Sequence, residues 1–253
     1  MKKFVCAIKR RILLLMFGQK PDAVFIPVEA SEEQSKSMQR CSNFTMTGPE
    51  KLWACISAAE YVVKNEIPGA IVECGVWKGG STMAMVESLV RLGDFSREVF
   101  LYDTFEGMTP PSQLDLDPRG IDARTLLESS PKNSANHLWA ISELDEVRTN
   151  VESTGYPADL MRFIQGDVNS TLENSKNLPD QIAVLRLDTD WYESTKKELE
   201  VLFPRLSRLG VCIVDDYGHW SGSRKAVDEY LLAHGLQPLM VATDYSGRVF
   251  VRT

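Results

Sequence analysis

The most constraining stretch of the 253-residue chain reads Ile71-Val72-Glu73-Cys74-Gly75-Val76-Trp77-Lys78-Gly79-Gly80-Ser81-Thr82. A short apolar run ends at Glu73, a glycine-rich turn follows, and Met83-Ala84-Met85-Val86 opens a helical pattern. That order predicts a strand, a tight turn and a helix N-terminus. Glycine lets a backbone turn sharply and lie close to a ligand. The first turn of a helix offers unpaired N–H groups to a polar or anionic group. The stretch fits a nucleotide-like cofactor at residues 75–81, and equally a glycine-rich turn with no ligand, so the rest of the chain has to choose.

The strand-and-helix alternation recurs. Val99-Phe100-Leu101-Tyr102, Met161-Arg162-Phe163-Ile164, Ile182-Ala183-Val184-Leu185-Arg186-Leu187 and Val211-Cys212-Ile213-Val214 are further short apolar runs. Between them lie helical spacings such as Leu52, Ile56, Ala59 and Val63, or Leu144, Val147 and Val151. Leu239-Met240-Val241 and Val249-Phe250-Val251 flank a turn at residues 243–247 and predict an antiparallel hairpin. The expected fold is α/β, a doubly wound and mostly parallel Rossmann-like sheet with an antiparallel strand from the C-terminal hairpin. Thr47-Gly48-Pro49-Glu50 predicts a capping box at a helix start. Residues 1–43 read as an N-terminal arm and connecting segment, and 44–253 as a single domain. Residues 108–140, with Pro110-Pro111 and several aspartates, read as a lid carrying a central helical patch.

The formal net charge of -7 argues against a general nucleic-acid binder. No apolar run is long enough to span a bilayer. Lys2, Lys3, Lys9, Arg10 and Arg11 flank short apolar stretches, which we read as a packing or dimerisation arm rather than a membrane contact; a homo-oligomer is expected. Five scattered cysteines without a CxxC pair fit a reducing cytoplasm.

The predicted strands end in acids: Glu73, Asp103, Asp167, Asp188 with Asp190, and Asp215 with Asp216. In a parallel sheet these ends share the edge where ligands bind. One such acid often only caps the next helix, whereas a row of them repels unless something neutralises it. Asp103, after the second strand, is placed to accept from ribose hydroxyls, and Asp167 to meet an adenine amino group. Asp188, Asp215 and Asp216 supply hard oxygen donors suited to Mg²⁺ or Ca²⁺; a capped turn is the alternative for Asp215 and Asp216.

These motifs, in this order, together with Asp103-Thr104-Phe105-Glu106-Gly107, Leu187-Asp188-Thr189-Asp190-Trp191-Tyr192-Glu193-Ser194-Thr195 and Asp215-Asp216-Tyr217-Gly218, carry a resemblance. From about Asn43 onward the chain resembles the macrocin O-methyltransferase family. These TylF/MycF-like enzymes methylate sugar hydroxyls and are class I S-adenosylmethionine-dependent methyltransferases. The resemblance implies that Glu73, Gly75, Val76, Trp77, Gly79 and Ser81 border the methionine end of the cofactor. It implies Asp103, with Thr104 and Phe105, at the ribose and Asp167, with Val168, near adenine. It also implies a divalent metal, Mg²⁺ first, on Asp188, Asp215 and Asp216. The lysine that related catechol-type enzymes carry after the first metal aspartate is absent, with Trp191 at about that place. Asp188 or Asp190 is then the first choice of base and His219 the second. His137, Trp139 and Tyr192 are candidates for the acceptor pocket. The acceptor is expected to be a small molecule or glycan presenting a hydroxyl. Two other readings remain at this stage: an NAD-type oxidoreductase, although the turn lacks GxGxxG spacing, and a non-catalytic assembly subunit on the same fold.

Overall fold

The computed structural model describes residues 26–133 and 137–253, so the basic N-terminal segment expected to be an arm lies outside the described residues. Strands β1 (Ala70–Cys74), β2 (Val99–Asp103), β3 (Met161–Gln165), β4 (Ile182–Leu187), β5 (Leu206–Val214), β6 (Val241–Ala242) and β7 (Arg248–Val251) form one sheet. Their order is β3-β2-β1-β4-β5-β7-β6. The first five in sequence run parallel, β7 pairs antiparallel with β5, and β6 pairs antiparallel with β7. This is the mixed, mostly parallel sheet that the strand-and-helix alternation predicts.

Alternation along each strand sends side chains to opposite faces. Ile71, Leu101, Val184 and Ile213 pack on one side against helices α1 (Glu32–Cys41), α2 (Pro49–Lys64), α3 (Gly80–Leu92) and α5 (Leu144–Glu152). Val72, Phe100, Leu185 and Cys212 pack on the other, where α7 (Tyr192–Val201) and α8 (Ser221–Ala233) contribute Leu199 and Val227. Helices α4 (Ala123–Glu128) and α6 (Val168–Thr171) are short connectors.

Two expectations need correction. The segment before Asn43 is not irregular from Glu32 on: α1 buries Met38 and Cys41 in the main core. Its polar composition hides the helix, but Ser31 and Gln34 form the reciprocal capping box that signals its start. The box expected at Thr47 does not form; Gly48 caps α2 without a side-chain bond, and Pro49 opens the helix. The Thr47 hydroxyl instead accepts from Arg186 at 2.8 Å. Within the stretch read as a lid, residues 108–133 and 137–140 pack against the domain, and the expected helical patch is present as α4. Ala123 and Leu127 lie against Trp191 and Trp220, and the buried Asp115 accepts from the Ser112 and Tyr192 backbone N–H groups at 2.7 and 2.8 Å.

One polar group in the second core layer positions the end of β4. Glu198, fully buried on α7, accepts from the Thr189 hydroxyl at 2.8 Å. Its other oxygen has no N–H or O–H donor among the described residues. Burial pushes this carboxyl up to about 8, with the Asp188 charge adding to it against the Thr189 bond. The folded state therefore holds a proton that an unfolded glutamate loses near 4.5. The stability this contributes is complete below that value and is lost as pH rises toward 8. Glu198→Gln keeps the acceptor for Thr189 and removes the titration. We expect it to be more stable than the natural protein at pH 8 by at least ~1 kcal/mol, with little difference at pH 5. Urea unfolding at the two pH values checks this, and equal pH slopes for the two proteins would contradict it.

Candidate active site

The register of the central strands sets the acids level. Cys74 pairs with Tyr102 and with Leu187, and Leu187 pairs with Val214. The ladder continues one step, as the N–H groups of Gly75, Asp188 and Asp215 donate to the carbonyls of Tyr102, Cys74 and Leu187. Strand alternation then places Glu73, Asp103, Arg186, Asp188 and Asp215 on one face. The strand order reverses between β1 and β4, the point at which open α/β sheets bind ligands. A cavity of about 430 Å³ opens there, and its wall includes Gly75, Asp103, Asp167, Asp188 and Asp216.

At its floor is the Arg186 guanidinium, 1% exposed. It donates to Glu73 at 2.5 Å, to Asp188 at 2.7 Å, to Thr47 at 2.8 Å and to Asp215. Burial alone would strip its charge, but the carboxylates of Asp188, Asp215 and Glu73 outweigh burial and hold the guanidinium protonated. A second buried cation comes from α2. Lys51 pairs with Asp215 and donates to the Ser246 hydroxyl at 3.1 Å. Burial works against its charge, and Asp215, Asp216 and Asp188 overcome it. Asp215 is accordingly held below the usual carboxylate range by Arg186 and Lys51, in spite of its burial.

The other acids have too little positive charge nearby. Burial, with Asp215 and Asp216 beside it, raises Asp188 despite Arg186. Burial and the neighbouring Asp190 and Asp215 raise Asp216. Asp190 is pushed up to about 7 by burial and by Asp188 and Asp215, while a hydrogen bond with Asp216 works the other way. Carboxylate oxygens of Asp188, Asp215 and Asp216 all lie within 4.8 Å of one another. The cluster sets Glu73, Asp188, Asp190, Asp215 and Asp216 against two cations. Hard oxygen donors this close, more numerous than the nearby cations can offset, fit a divalent cation.

The sequence-derived assignments divide on this geometry. Gly75, Val76, Trp77, Ser81, Asp103, Thr104, Asp167, Val168 and Asp188 border the cavity, as do Asp190, Asp215, Asp216 and His219. Glu73, Gly79 and Phe105 do not. Glu73 is 1% exposed and bonds inward to Arg186 and Thr82, so it anchors the floor and does not border the cavity as expected. Phe105 is buried, and Gly79 adopts a left-handed φ of 91° and sits against Val151. Gly75 takes a left-handed φ of 81°, the sharp turn that the motif suggested, and a second constraint adds to it: a Cβ there would collide with the Asp188 carbonyl. Asp103 borders the cavity, and its carboxylate also holds the glycine turn. One oxygen accepts from Val76 N–H at 2.6 Å and Trp77 N–H at 3.0 Å, the other from Phe105 N–H at 2.7 Å. Burial nonetheless raises it. Tyr192 points elsewhere, to Glu229 at 2.7 Å, and Trp139 donates to the Ser130 carbonyl. His137 lies in a short turn, His137–Trp139, of which Leu138 reaches the cavity.

Sequence reasoning missed Arg186, Lys51, Thr47, Ser246 and Tyr245. Trp77, Ala140 and Asp190, all at the cavity, have φ of 45°, 46° and 70°. Such backbone in non-glycine residues concentrates at functional sites. Replacing Arg186 by Met leaves Glu73 and Asp215 buried with less compensation. We expect a loss of roughly 3–5 kcal/mol of stability at neutral pH, measured by chemical denaturation; a loss below ~1 kcal/mol would show the ion cluster to be dispensable to the fold.

Comparison with known proteins agrees with the geometry. The sequence profile of the macrocin O-methyltransferase (TylF) family matches residues 7–252. The chain is 36% identical, over 80% of its length and 73% of the relative's, to the 8-demethyl-8-(2,3-dimethoxy-alpha-L-rhamnosyl)-tetracenomycin-C 4'-O-methyltransferase of Streptomyces olivaceus. It is 31% identical, over 87% of its length and 82% of the relative's, to the mycinamicin III 3''-O-methyltransferase of Micromonospora griseorubida. The solved structure of the O-methyltransferase NovP superposes over 100% of both chains with a TM-score of 0.69 at 28% identity. These matches overturn the oxidoreductase reading: the chain belongs to the macrocin O-methyltransferase family and is an S-adenosylmethionine-dependent O-methyltransferase.

Proposed function

We propose that the protein methylates a hydroxyl of a sugar on a glycosylated small molecule, with a divalent cation, Mg²⁺ first, on Asp188, Asp215 and Asp216. The observation that carries this is the close approach of those three carboxylates beside the glycine turn. The Streptomyces olivaceus relative is named for a rhamnosyl-bearing tetracenomycin, which supports the acceptor class. A cation there would lower the pKa of an acceptor hydroxyl and orient its oxygen, and S-adenosylmethionine supplies an electrophilic methyl.

The chain's own groups account for the rest. Asp103 accepts from Phe105 N–H through one carboxylate oxygen, which keeps lone-pair capacity to receive a ribose hydroxyl. Asp167 caps α6 through one oxygen, and its place at the far end of the cavity suits the adenine. Ser81 stands at the first turn of α3, within 3.4 Å of the Thr45 hydroxyl, and suits the polar methionine end. Arg186 fixes Asp188 and Asp215, so the metal-binding oxygens are set before any ligand arrives.

For the proton we assign Asp190. Asp188 is committed to Arg186. The His219 ring, which burial holds below the usual histidine value, is engaged with Tyr245 at 3.0 Å. Asp190 borders the cavity two residues past Asp188, and burial, with Asp188 and Asp215 nearby, raises its carboxyl, which suits it to take up a proton. As the O–CH₃ bond forms and the S–CH₃ bond breaks, the hydroxyl proton passes to the Asp190 carboxylate.

Methyl transfer to a rhamnosylated polyketide is expected to vanish on treatment with EDTA and to return with Mg²⁺. Asp216→Asn should lower kcat/KM by about 10²-fold or more, since it removes one of three cation ligands. Full activity in EDTA would refute the metal assignment. Asp190→Asn should lower kcat by about 10²-fold or more while leaving cofactor affinity unchanged. A variant with ordinary kcat would move the base elsewhere.

A further inference from the structure

The hairpin between β6 and β7 reaches back to the catalytic edge, and its tip carries Tyr245, 68% exposed and bordering the cavity. An exposed aromatic ring on a loose turn would carry little information. This one is held. The Gly218 N–H donates to the Ser246 carbonyl at 2.8 Å, and a Cβ at Gly218 would collide with the Tyr245 carbonyl. Lys51 reaches the Ser246 hydroxyl at 3.1 Å from the acid cluster itself. The Tyr245 hydroxyl meets His219 Nδ1 at 3.0 Å, with the two rings at 77°. His219 in turn stands edge-on to Trp220, with centroids 4.7 Å apart. The Asp216 carbonyl accepts from both the His219 and Trp220 N–H groups, so this aromatic wall begins immediately beside a proposed metal ligand.

We propose that Tyr245, oriented by His219, is the surface on which the acceptor's sugar ring lies, by its C–H face, while its hydroxyl edge meets the acids. This rests on the reading of the enzyme as a sugar O-methyltransferase. A pyranose has an apolar C–H face and a hydroxyl-bearing edge. The site offers one wall for each: a large amphipathic ring at the mouth and carboxylates at the floor. Because the hairpin backbone and the edge contact with His219 fix the ring before binding, stacking on it loses little conformational entropy. Tyr245 is in this account a binding and specificity residue; it moves no proton.

The experiment compares the natural protein with Tyr245→Ala, Tyr245→Phe and Tyr245→Trp, using an α-L-rhamnosyl polyketide as acceptor. Steady-state kinetics give acceptor KM and kcat. Calorimetry gives acceptor affinity for the enzyme loaded with S-adenosylhomocysteine, and the affinity for S-adenosylhomocysteine itself. Tyr245→Ala should weaken acceptor binding and raise acceptor KM by about tenfold or more, with S-adenosylhomocysteine affinity unchanged. Phe and Trp should stay within about threefold of the natural residue. An unchanged acceptor affinity in Tyr245→Ala overturns the proposal, as does a Phe variant as weak as the Ala variant, which would make the hydroxyl the active part. If Tyr245→Ala loses S-adenosylhomocysteine binding as well, the Phe and Trp variants decide between ring and hydroxyl. Acceptor binding that depends on Tyr245 without turnover supports the platform and sinks the methyl-transfer reading. Turnover indifferent to Tyr245 does the reverse. A natural protein that binds no glycoside overturns both.

Discussion

The structure depends on the buried contact between the Arg186 guanidinium and the carboxylates of Glu73, Asp188 and Asp215. A charge of this kind within a buried parallel strand is tolerable only when paired and hydrogen-bonded. Here the pairing also does the positioning. Glu73 sits at the end of β1, Asp188 just past β4 and Asp215 just past β5, so one side chain ties together the three strands that frame the cavity. Thr47 brings the start of α2 into the same group, and Lys51 extends it to the C-terminal hairpin. The cofactor-side turn and the acid cluster thereby share a single internal anchor.

The electrostatic consequence is uneven. Arg186 and Lys51 concentrate on Asp215, which stays ionised, while Asp188, Asp190 and Asp216 are pushed up by burial and by one another. A cluster balanced for stability alone would have matched its charges. This one crowds more carboxyl groups at the cavity than its two cations can offset, a strain that a bound cation would relieve. Backbone conformation follows the same pattern. Trp77, Ala140 and Asp190 take left-handed backbone around the cavity, which the packing around them sustains.

Much of this was legible in the chain. The apolar runs and helical spacings located the parallel strands and the helices between them, and acids at strand ends marked the binding edge. Family motifs then narrowed the ligand to S-adenosylmethionine. Arg186 was readable too: a charge within a buried strand, two residues before Asp188 and so on the same face. Lys51 and Tyr245 were not. Each reaches the site from an element distant in sequence, through contacts that periodicity does not encode. Glu73 turns inward to Arg186, which its strand position could not tell, since that position gives the edge a residue reaches and not the direction of its side chain. Helix α1 was missed because its buried surface is only a few residues in an otherwise polar segment.

The central claim is that a divalent cation on Asp188, Asp215 and Asp216 lies beside the methyl group to be transferred. The most direct test is the relaxation of ¹³C-methyl-labelled S-adenosylmethionine bound to the enzyme, measured with Mn²⁺ and with Mg²⁺. Strong Mn²⁺-induced relaxation of the bound methyl, lost in Asp216→Asn while the cofactor stays bound, is the predicted result. No added relaxation with Mn²⁺ at saturating cofactor would contradict the account.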